Sequence, residues 1–203
     1  MDFTGFLGND AVKARLSGAF ASGRVAHSYL LCGPAGSGKH TLTRILSAAM
    51  QCEGRSGKIP CGVCSGCRKA LEGVHPDIIT VDDPDHKAMT VDPIRAARSD
   101  MFIRPNEGKR KIYIIPRGQD MNESAQNALL KILEEPPDYG VFLILSTNAE
   151  RLLPTLPPPR AGGGRSCSSA RWRRMRRCRF CGRMRRTSLT AFCARPICAR
   201  AAF

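Results

Sequence analysis

Long apolar runs are missing from this sequence. No stretch of about eighteen apolar residues occurs, and Met1–Phe6 lacks the basic and apolar segments of a secretory signal. We therefore expect no membrane span and a cytoplasmic location, where thiols stay reduced. Acidic residues and lysine are missing from 157–203, which contains 13 of the 32 basic residues, all arginine. The net charge of +15 therefore comes mainly from that segment, and residues 1–156 are nearly neutral.

Three hypotheses compete for the Arg- and Cys-rich tail, residues 157–203. A basic arm at Arg171–Arg177 would bind nucleic acid through phosphates, with Trp172 stacking on a base. Cys178 and Cys181 would alternatively begin a second metal site, although two thiols fall short of the four ligands of zinc. We favour a frameshift near position 156, because arginine without lysine beside many Cys, Ala and Gly is typical of out-of-frame translation of a GC-rich gene. In that case the protein is truncated, and the tail is disordered.

Short runs of branched apolar residues alternate with amphipathic helical patterns in residues 1–156. With 42% hydrophobic residues, this part can bury a core. Strands alternating with helices predict an α/β fold, a parallel sheet with helices on both faces. Asp92 is expected to cap one helix, before Pro93, and Asn122 another. The predicted strands are Ser28–Cys32, Ile78–Val81, Ile112–Ile115 and Val141–Leu145.

A glycine-rich loop follows the first predicted strand and precedes a predicted helix that starts near Lys39. This context is the one that a P-loop requires, since glycines turn backbone N–H groups toward a polyphosphate and lysine adds a cation. The last position carries His40 instead of a hydroxyl for Mg²⁺, with Thr41 one residue late, which argues against Mg²⁺ coordination. A glycine-rich turn that binds no nucleotide is the alternative. The predicted ATP or ADP site comprises Gly33, Pro34, Ala35, Gly36, Ser37, Gly38, Lys39, His40 and Thr41.

Hydrolysis would need a carboxylate at the end of a neighbouring strand. The strand Ile112–Ile115 is followed by Pro116 and Arg117, and Asp120 and Glu123 lie further along the chain. We therefore expect a loop that binds nucleotide without hydrolysing it.

Four thiols occur within sixteen residues, in a glycine-rich insert at about 52–67. Tetrahedral thiolate coordination suits a structural Zn²⁺, whereas the spacing lacks the fourth ligand of the usual iron–sulfur motif. Free buried thiols are the remaining alternative. The predicted zinc ligands are Cys52, Cys61, Cys64 and Cys67.

Together these features resemble the AAA+ clamp-loader subunits of bacterial DNA polymerase III, and among them the delta-prime branch, over residues 1–156. The sequence segments that carry the resemblance are Ala26–Leu31, the four-cysteine insert, His75–Asp77, Asn127–Pro137 and Ser146–Asn148 with Leu152–Thr155.

This resemblance implies a subunit of the machine that loads the sliding clamp onto primed DNA, acting beside gamma/tau and delta subunits. It implies a sensor role for Asn148, although a simple strand-ending turn explains Ser146–Asn148 equally well. Delta-prime members commonly lack the two acids at the positions of Pro116 and Arg117 and act as a fixed arm of the assembly. The chain is then expected to bind nucleotide weakly or not at all and not to hydrolyse it. The family's arginine finger falls on Pro159, which predicts its loss. The rival functions are a gamma/tau-type ATPase and a nucleic-acid-binding protein that acts through its tail.

Overall fold

Parallel strands form one sheet in the order β2-β3-β4-β1-β5. The computed structural model describes residues 1–54, 58–84, 86–148 and 152, and the backbone of a strand at 189–193. The strands are β1 (Ser28–Cys32), β2 (Ile78–Thr80), β3 (Lys111–Ile115), β4 (Gly140–Ser146) and β5 (Leu189–Cys193). The four strands predicted from the sequence are confirmed to within a residue at either end.

Helices separate the strands along the chain. Within the part that the structure describes, the longest helices have 12 residues, and none is long and apolar enough to cross a membrane. The helices are α1 (Asp10–Ala21), α2 (Lys39–Met50), α3 (Ser65–Glu72), α4 (Val91–Met101) and α5 (Glu123–Glu134), with a 3₁₀ turn at Gly118–Asp120.

Alternate residues of the central strands face opposite sides of the sheet, so each side has its own apolar core. Tyr113 and Phe142 belong to the core beneath α4 and α5, and their rings stack with centroids 5.1 Å apart. Ile112 and Leu143 belong to the core beneath α2. Helices therefore cover both faces, and the predicted α/β class is confirmed.

The strand β5 differs from the expectation of a disordered tail. Leu189–Cys193 pairs in parallel with β1, with Leu189 opposite Ser28. This run contains no arginine, and it lies along the edge of β1 that β4 leaves open. An uncharged run with one β-branched and one aromatic residue, beside an unpaired row of backbone groups, is a physical reason for the strand. The remaining residues of the expected disordered tail, and the question of a frameshift, lie outside the described residues.

Two predicted helix starts had different outcomes. Asn122 caps α5 as predicted, because its Oδ1 accepts a hydrogen bond of 2.8 Å from the N–H of Ala125. The prediction that Asp92 caps α4 is wrong, since Thr90 occupies the N-cap position. Asp92 instead lies in the first turn, where a negative charge still interacts favourably with the helix dipole.

Asp77, just before β2, fixes the loop that leads into β3. Its carboxylate accepts hydrogen bonds of 2.6–2.9 Å from the backbone N–H groups of Asn106, Glu107 and Gly108. Asp77 is fully buried, and its own N–H donates to His75 Nδ1 at 3.1 Å. Burial alone would raise the pKa of Asp77, but the three N–H donors outweigh it and lower the pKa.

We expect Asp77→Ala to lower the free energy of unfolding by about 3 kcal/mol, because three buried N–H groups lose a charged acceptor. The contribution of Asp77 to stability should be present above about pH 4, the pKa of an unfolded aspartate, and should be lost as pH falls through the depressed folded pKa. Chemical denaturation at several pH values measures both effects. Asp92→Ala, at an exposed carboxylate, is the control and should change stability by less than about 0.5 kcal/mol. A similar loss for both variants would contradict this role of Asp77.

Candidate nucleotide-binding loop and metal centre

The glycine-rich loop connects the end of β1 to the start of α2. Gly36 and Gly38 have φ angles of 76° and 78°, in the left-handed region that glycine adopts without strain. Gly38 is also the N-cap of α2. The N–H of Gly33 donates to the carbonyl of Ser146 at 3.2 Å, which joins the loop to the end of β4. Sequence and structure therefore agree on a strand–loop–helix unit with a helix N-terminus behind the loop.

Lys39 folds back over its own loop. Its Nζ donates to the carbonyls of Gly33 at 2.7 Å and Pro34 at 2.8 Å, and lies 3.5 Å from Ser37 Oγ. Burial lowers the pKa of Lys39, while the neighbouring Cys32 opposes this effect. His40 is exposed and Thr41 is half-buried.

Arg117 occupies the end of β3, where an ATPase would place an acid. Its Nε donates to Asp82 Oδ1 at 2.8 Å, and its Nη1 and Nη2 donate to the carbonyls of His86 and Asp83. Asp82 follows β2, so this ion pair joins the loop after β2 to the end of β3. The neighbouring Gly118 packs against β4, where a Cβ would lie 2.8 Å from Ile144 Cγ2.

Asp83, beside this ion pair, also has its acceptor atoms engaged. Its carboxylate accepts hydrogen bonds from Thr90 Oγ1 at 2.5 Å and from His86 Nδ1 at 2.7 Å. These hydrogen bonds lower the pKa of Asp83 to about 2. The carboxylate thus orders the loop that precedes α4 and fixes the start of that helix.

The turn after β4 carries Asn148. Ser146 Oγ accepts a hydrogen bond from the N–H of Asn148 at 3.1 Å and donates to its carbonyl at 2.8 Å. Gln119 Oε1 accepts from the N–H of Thr147 at 3.2 Å, which connects the turn to the 3₁₀ turn after β3. Asn148 is exposed at the same edge of the sheet as the glycine-rich loop.

Asp120 and Glu123 do not supply the missing acid in the part of the chain that the structure describes. Asp120 Oδ2 accepts from Gln119 Nε2 at 3.0 Å. Glu123 is exposed in the first turn of α5. The described contacts bring neither carboxylate to the glycine-rich loop.

The four predicted metal ligands converge in space. A tetrahedral Zn²⁺ with Zn–S bonds of about 2.3 Å separates its sulfurs by about 3.8 Å. Sγ of Cys61 and Sγ of Cys67 lie 3.8 Å apart. The four residues form no disulfide. All four Sγ atoms lie within 4.8 Å of one another, those of Cys52, Cys61, Cys64 and Cys67.

Backbone N–H groups point at these sulfurs. Cys61 Sγ accepts from the N–H of Cys64, and Cys64 Sγ accepts from the N–H of Cys67, both at 3.4 Å. Such donors stabilise thiolates. The N–H groups of Cys64 and Val63 lower the pKa of Cys61 to about 6, whereas burial raises the pKa of Cys67. The donor set and its geometry therefore fit one Zn²⁺, and four protein ligands would leave it no open position for catalysis.

The insert is packed firmly onto α2. A Cβ on Gly66, in α3, would lie 2.4 Å from the carbonyl of Gln51, so this contact requires glycine. Cys67 Sγ also approaches the carbonyl of Ala48 at 3.5 Å. The cluster is thus attached to the helix that begins at the phosphate loop.

Several residues of this region were not assigned from the sequence. From the sequence, Arg117 only marks the absence of an acid after β3. Its pairing with Asp82 joins positions 35 residues apart and has no local signal. The contact between Gln119 and Thr147 also depends on the fold and has no local signal in the sequence. His75 and Asp77 lie two positions apart in one of the segments that carry the family resemblance, and this spacing could have indicated a structural pair.

Comparisons with a family model and with curated proteins identify the chain as similar to subunits of DNA polymerase III. The family model described as DNA polymerase III, delta subunit matches residues 8–157. The gamma/tau subunit of Mycobacterium bovis is 34% identical over 156 residues, covering 76% of this chain and 27% of that protein. The tau subunit of Escherichia coli is 32% identical over 154 residues, covering 76% of this chain and 24% of that protein. The delta-prime subunit of Pseudomonas aeruginosa is 37% identical over 132 residues, covering 64% and 40%.

The chain spans about a quarter to two fifths of the length of these curated relatives. Among solved structures, a DNA polymerase III gamma subunit-related protein from Thermotoga maritima matches with a TM-score of 0.46 and 20% identity, covering 72% of this chain and 42% of that chain.

We expect the protein to bind one Zn²⁺ per chain and Cys67→Ser to weaken that binding by more than about tenfold, because a ligand is lost. Affinity should also fall as pH drops below about 6, where protons compete for the thiolate of Cys61. Competition with a chromogenic chelator measures the affinity, and Co²⁺ substitution reports thiolate ligation. Cys32→Ala, at a buried thiol outside the cluster, should leave binding unchanged. Equal binding by Cys67→Ser and the wild type would refute the site.

Proposed function

Because the chain belongs to the DNA polymerase III delta subunit family, we propose that it is a delta-prime-like clamp-loader subunit in DNA replication. It would act in the cytoplasm beside gamma/tau and delta subunits, and through them on the sliding clamp and primed DNA. Residues 1–156 would form the AAA+ domain. The chain spans less than half of its relatives' length. The activity and partners of the whole proteins are therefore part of this proposal.

The ion pair between Arg117 and Asp82 is the observation that carries the delta-prime assignment. An active site for phosphoryl transfer needs carboxylates that hold Mg²⁺ and position water. Here the end of β3 presents a guanidinium, and the nearest acid after β2 is paired with it. Asp83 is occupied by Thr90 and His86. The edge of the sheet therefore offers neither a free metal ligand nor a base among these residues.

Nucleotide binding is supported separately by the phosphate loop. Lys39, the left-handed glycines and the N-terminus of α2 are the elements that stabilise a polyphosphate. Asn148 would contact the bound phosphates from the end of β4. His40 lacks the hydroxyl that ligates Mg²⁺, so the proposed state is a weakly bound ATP or ADP that is not hydrolysed.

The four-cysteine cluster would hold a structural Zn²⁺. The ion would replace an apolar core in a glycine-rich segment too short to build one. Its function in this proposal is to keep the insert folded against α2.

Nucleotide binding and hydrolysis separate the delta-prime proposal from the gamma/tau alternative. We expect the wild type to bind a fluorescent ATP analogue and to show no Mg²⁺-dependent turnover above background. Lys39→Ala should weaken binding by at least about tenfold, because a cation in contact with phosphate is lost. Lys131→Ala, at an exposed lysine on α5, is the control and should bind as the wild type does. Turnover that Lys39→Ala abolishes would instead identify a gamma/tau-type ATPase.

Assembly tests the proposed partners. Mixed with purified gamma/tau and delta subunits, the chain should comigrate with them in size-exclusion chromatography. A variant in which glutamine replaces each arginine of 171–177 leaves the sequence of β5 unchanged. It tests the alternative that the protein binds nucleic acid through its tail. It should assemble as the wild type does. Failure of the wild type to comigrate would count against the clamp-loader role. Salt-sensitive DNA binding that the variant abolishes would favour the nucleic-acid-binding alternative.

A further inference from the structure

We propose that the N-terminal segment, Met1–Asn9, couples the four-cysteine cluster to the phosphate loop, with Phe6 as the residue that positions the loop. Metal bound at the cluster would thereby keep the loop ordered. The consequence for nucleotide affinity rests on the proposed function, whereas the order of the loop can be measured without any nucleotide.

One end of this segment is attached to the cluster. The N–H of Asp2 donates to the carbonyl of Ile59 at 2.6 Å. Ile59 packs against the buried cysteines and lies two residues before the ligand Cys61. A metal that fixes Cys61 therefore also fixes the carbonyl that holds Asp2.

Local hydrogen bonds stiffen the segment between its two ends. Asp2 Oδ1 accepts from the N–H of Thr4 at 3.1 Å and from Thr4 Oγ1 at 2.7 Å. The N–H of Phe6 then donates to the carbonyl of Phe3 at 2.9 Å. Met1 and Phe3 pack on the same core as Phe6. A displacement of Asp2 would therefore also displace Phe6.

The other end lies against the phosphate loop. Phe6 is 5% exposed, and its ring atoms lie 3.1 and 3.2 Å from the position that a Cβ on Gly38 would occupy. Phe6 and Lys39 also line one small cavity at the base of the loop. Lys13 Nζ stands 5.8 Å from the centroid of the ring and adds a cation–π contact. The ring therefore supports the residue that is both the last loop glycine and the N-cap of α2.

Coupling follows from these two attachments. A metal site of this kind is ordered by its ion, because the free energy of metal binding stabilises the folded form of the segment that carries the ligands. Loss of the ion would release Ile59, and with it the position of Phe6 against Gly38. A coupling between two sites is reciprocal and is commonly worth 5- to 150-fold in affinity.

Hydrogen–deuterium exchange on the full chain tests the coupling directly. Removing zinc with a chelator should speed exchange in residues 1–9 and 33–42 at least about fivefold, and leave α5 unchanged. Unchanged exchange in 33–42 while the insert opens would overturn the inference. Equal acceleration in every element would overturn it too, since that result signals general destabilisation.

Two variants assign the effect to Phe6. Phe6→Leu keeps an apolar side chain but loses the ring contact with Gly38, so zinc removal should no longer alter exchange in 33–42. Leu7→Ala is the matched control, because Leu7 is the next residue and is 90% exposed. It should behave as the wild type does. A zinc effect on 33–42 that persists in Phe6→Leu would show that the segment does not carry the coupling.

A nucleotide measurement separates this inference from the proposed function. The zinc-loaded wild type should bind the fluorescent ATP analogue at least about fivefold more tightly than the zinc-free protein. Binding that is independent of zinc would contradict the coupling and leave the proposed function standing. No binding in either form would contradict nucleotide binding, and the exchange experiment would still decide the coupling.

Discussion

The parallel pairing of β1 with β4 is the constraint on which the rest of the site depends. The pairing sets Cys32 opposite Ser146, so the two strands end at the same edge of the sheet. One further hydrogen bond, from the N–H of Gly33 to the carbonyl of Ser146, extends the ladder into the glycine-rich loop. The loop and the turn that carries Asn148 therefore lie side by side, because buried backbone groups must be paired.

The charges at this edge of the sheet determine which ligands and which chemistry the site can support. A phosphate loop supplies positive potential whether or not hydrolysis follows. The next strand along the edge ends in Arg117, whose charge is balanced by Asp82 instead of by a metal ion. The same pair ties the loop after β2 to the end of β3, so a group at the catalytic position stabilises structure here.

Local sequence patterns were sufficient to predict the strands and helices, but not the contacts between them. The strands were readable because Ile112–Ile115 and Val141–Leu145 are continuous apolar runs, and the cap at Asn122 because its signal lies within four residues. Asp92 was misread because Thr90, two residues earlier, is also a good cap. The four cysteines were grouped correctly because their spacing is short, whereas the three N–H groups that Asp77 binds lie about 30 residues away.

The four-cysteine cluster also packs against the end of α2 that lies away from the glycine-rich loop. The carbonyl of Gln51, at the end of α2, contacts Gly66 so closely that a Cβ could not fit. Gln51 Nε2 also donates to the carbonyl of Arg110 at 2.6 Å, just before β3. The insert therefore packs against the C-terminal end of α2, and a structural ion held by its four cysteines would stabilise that contact.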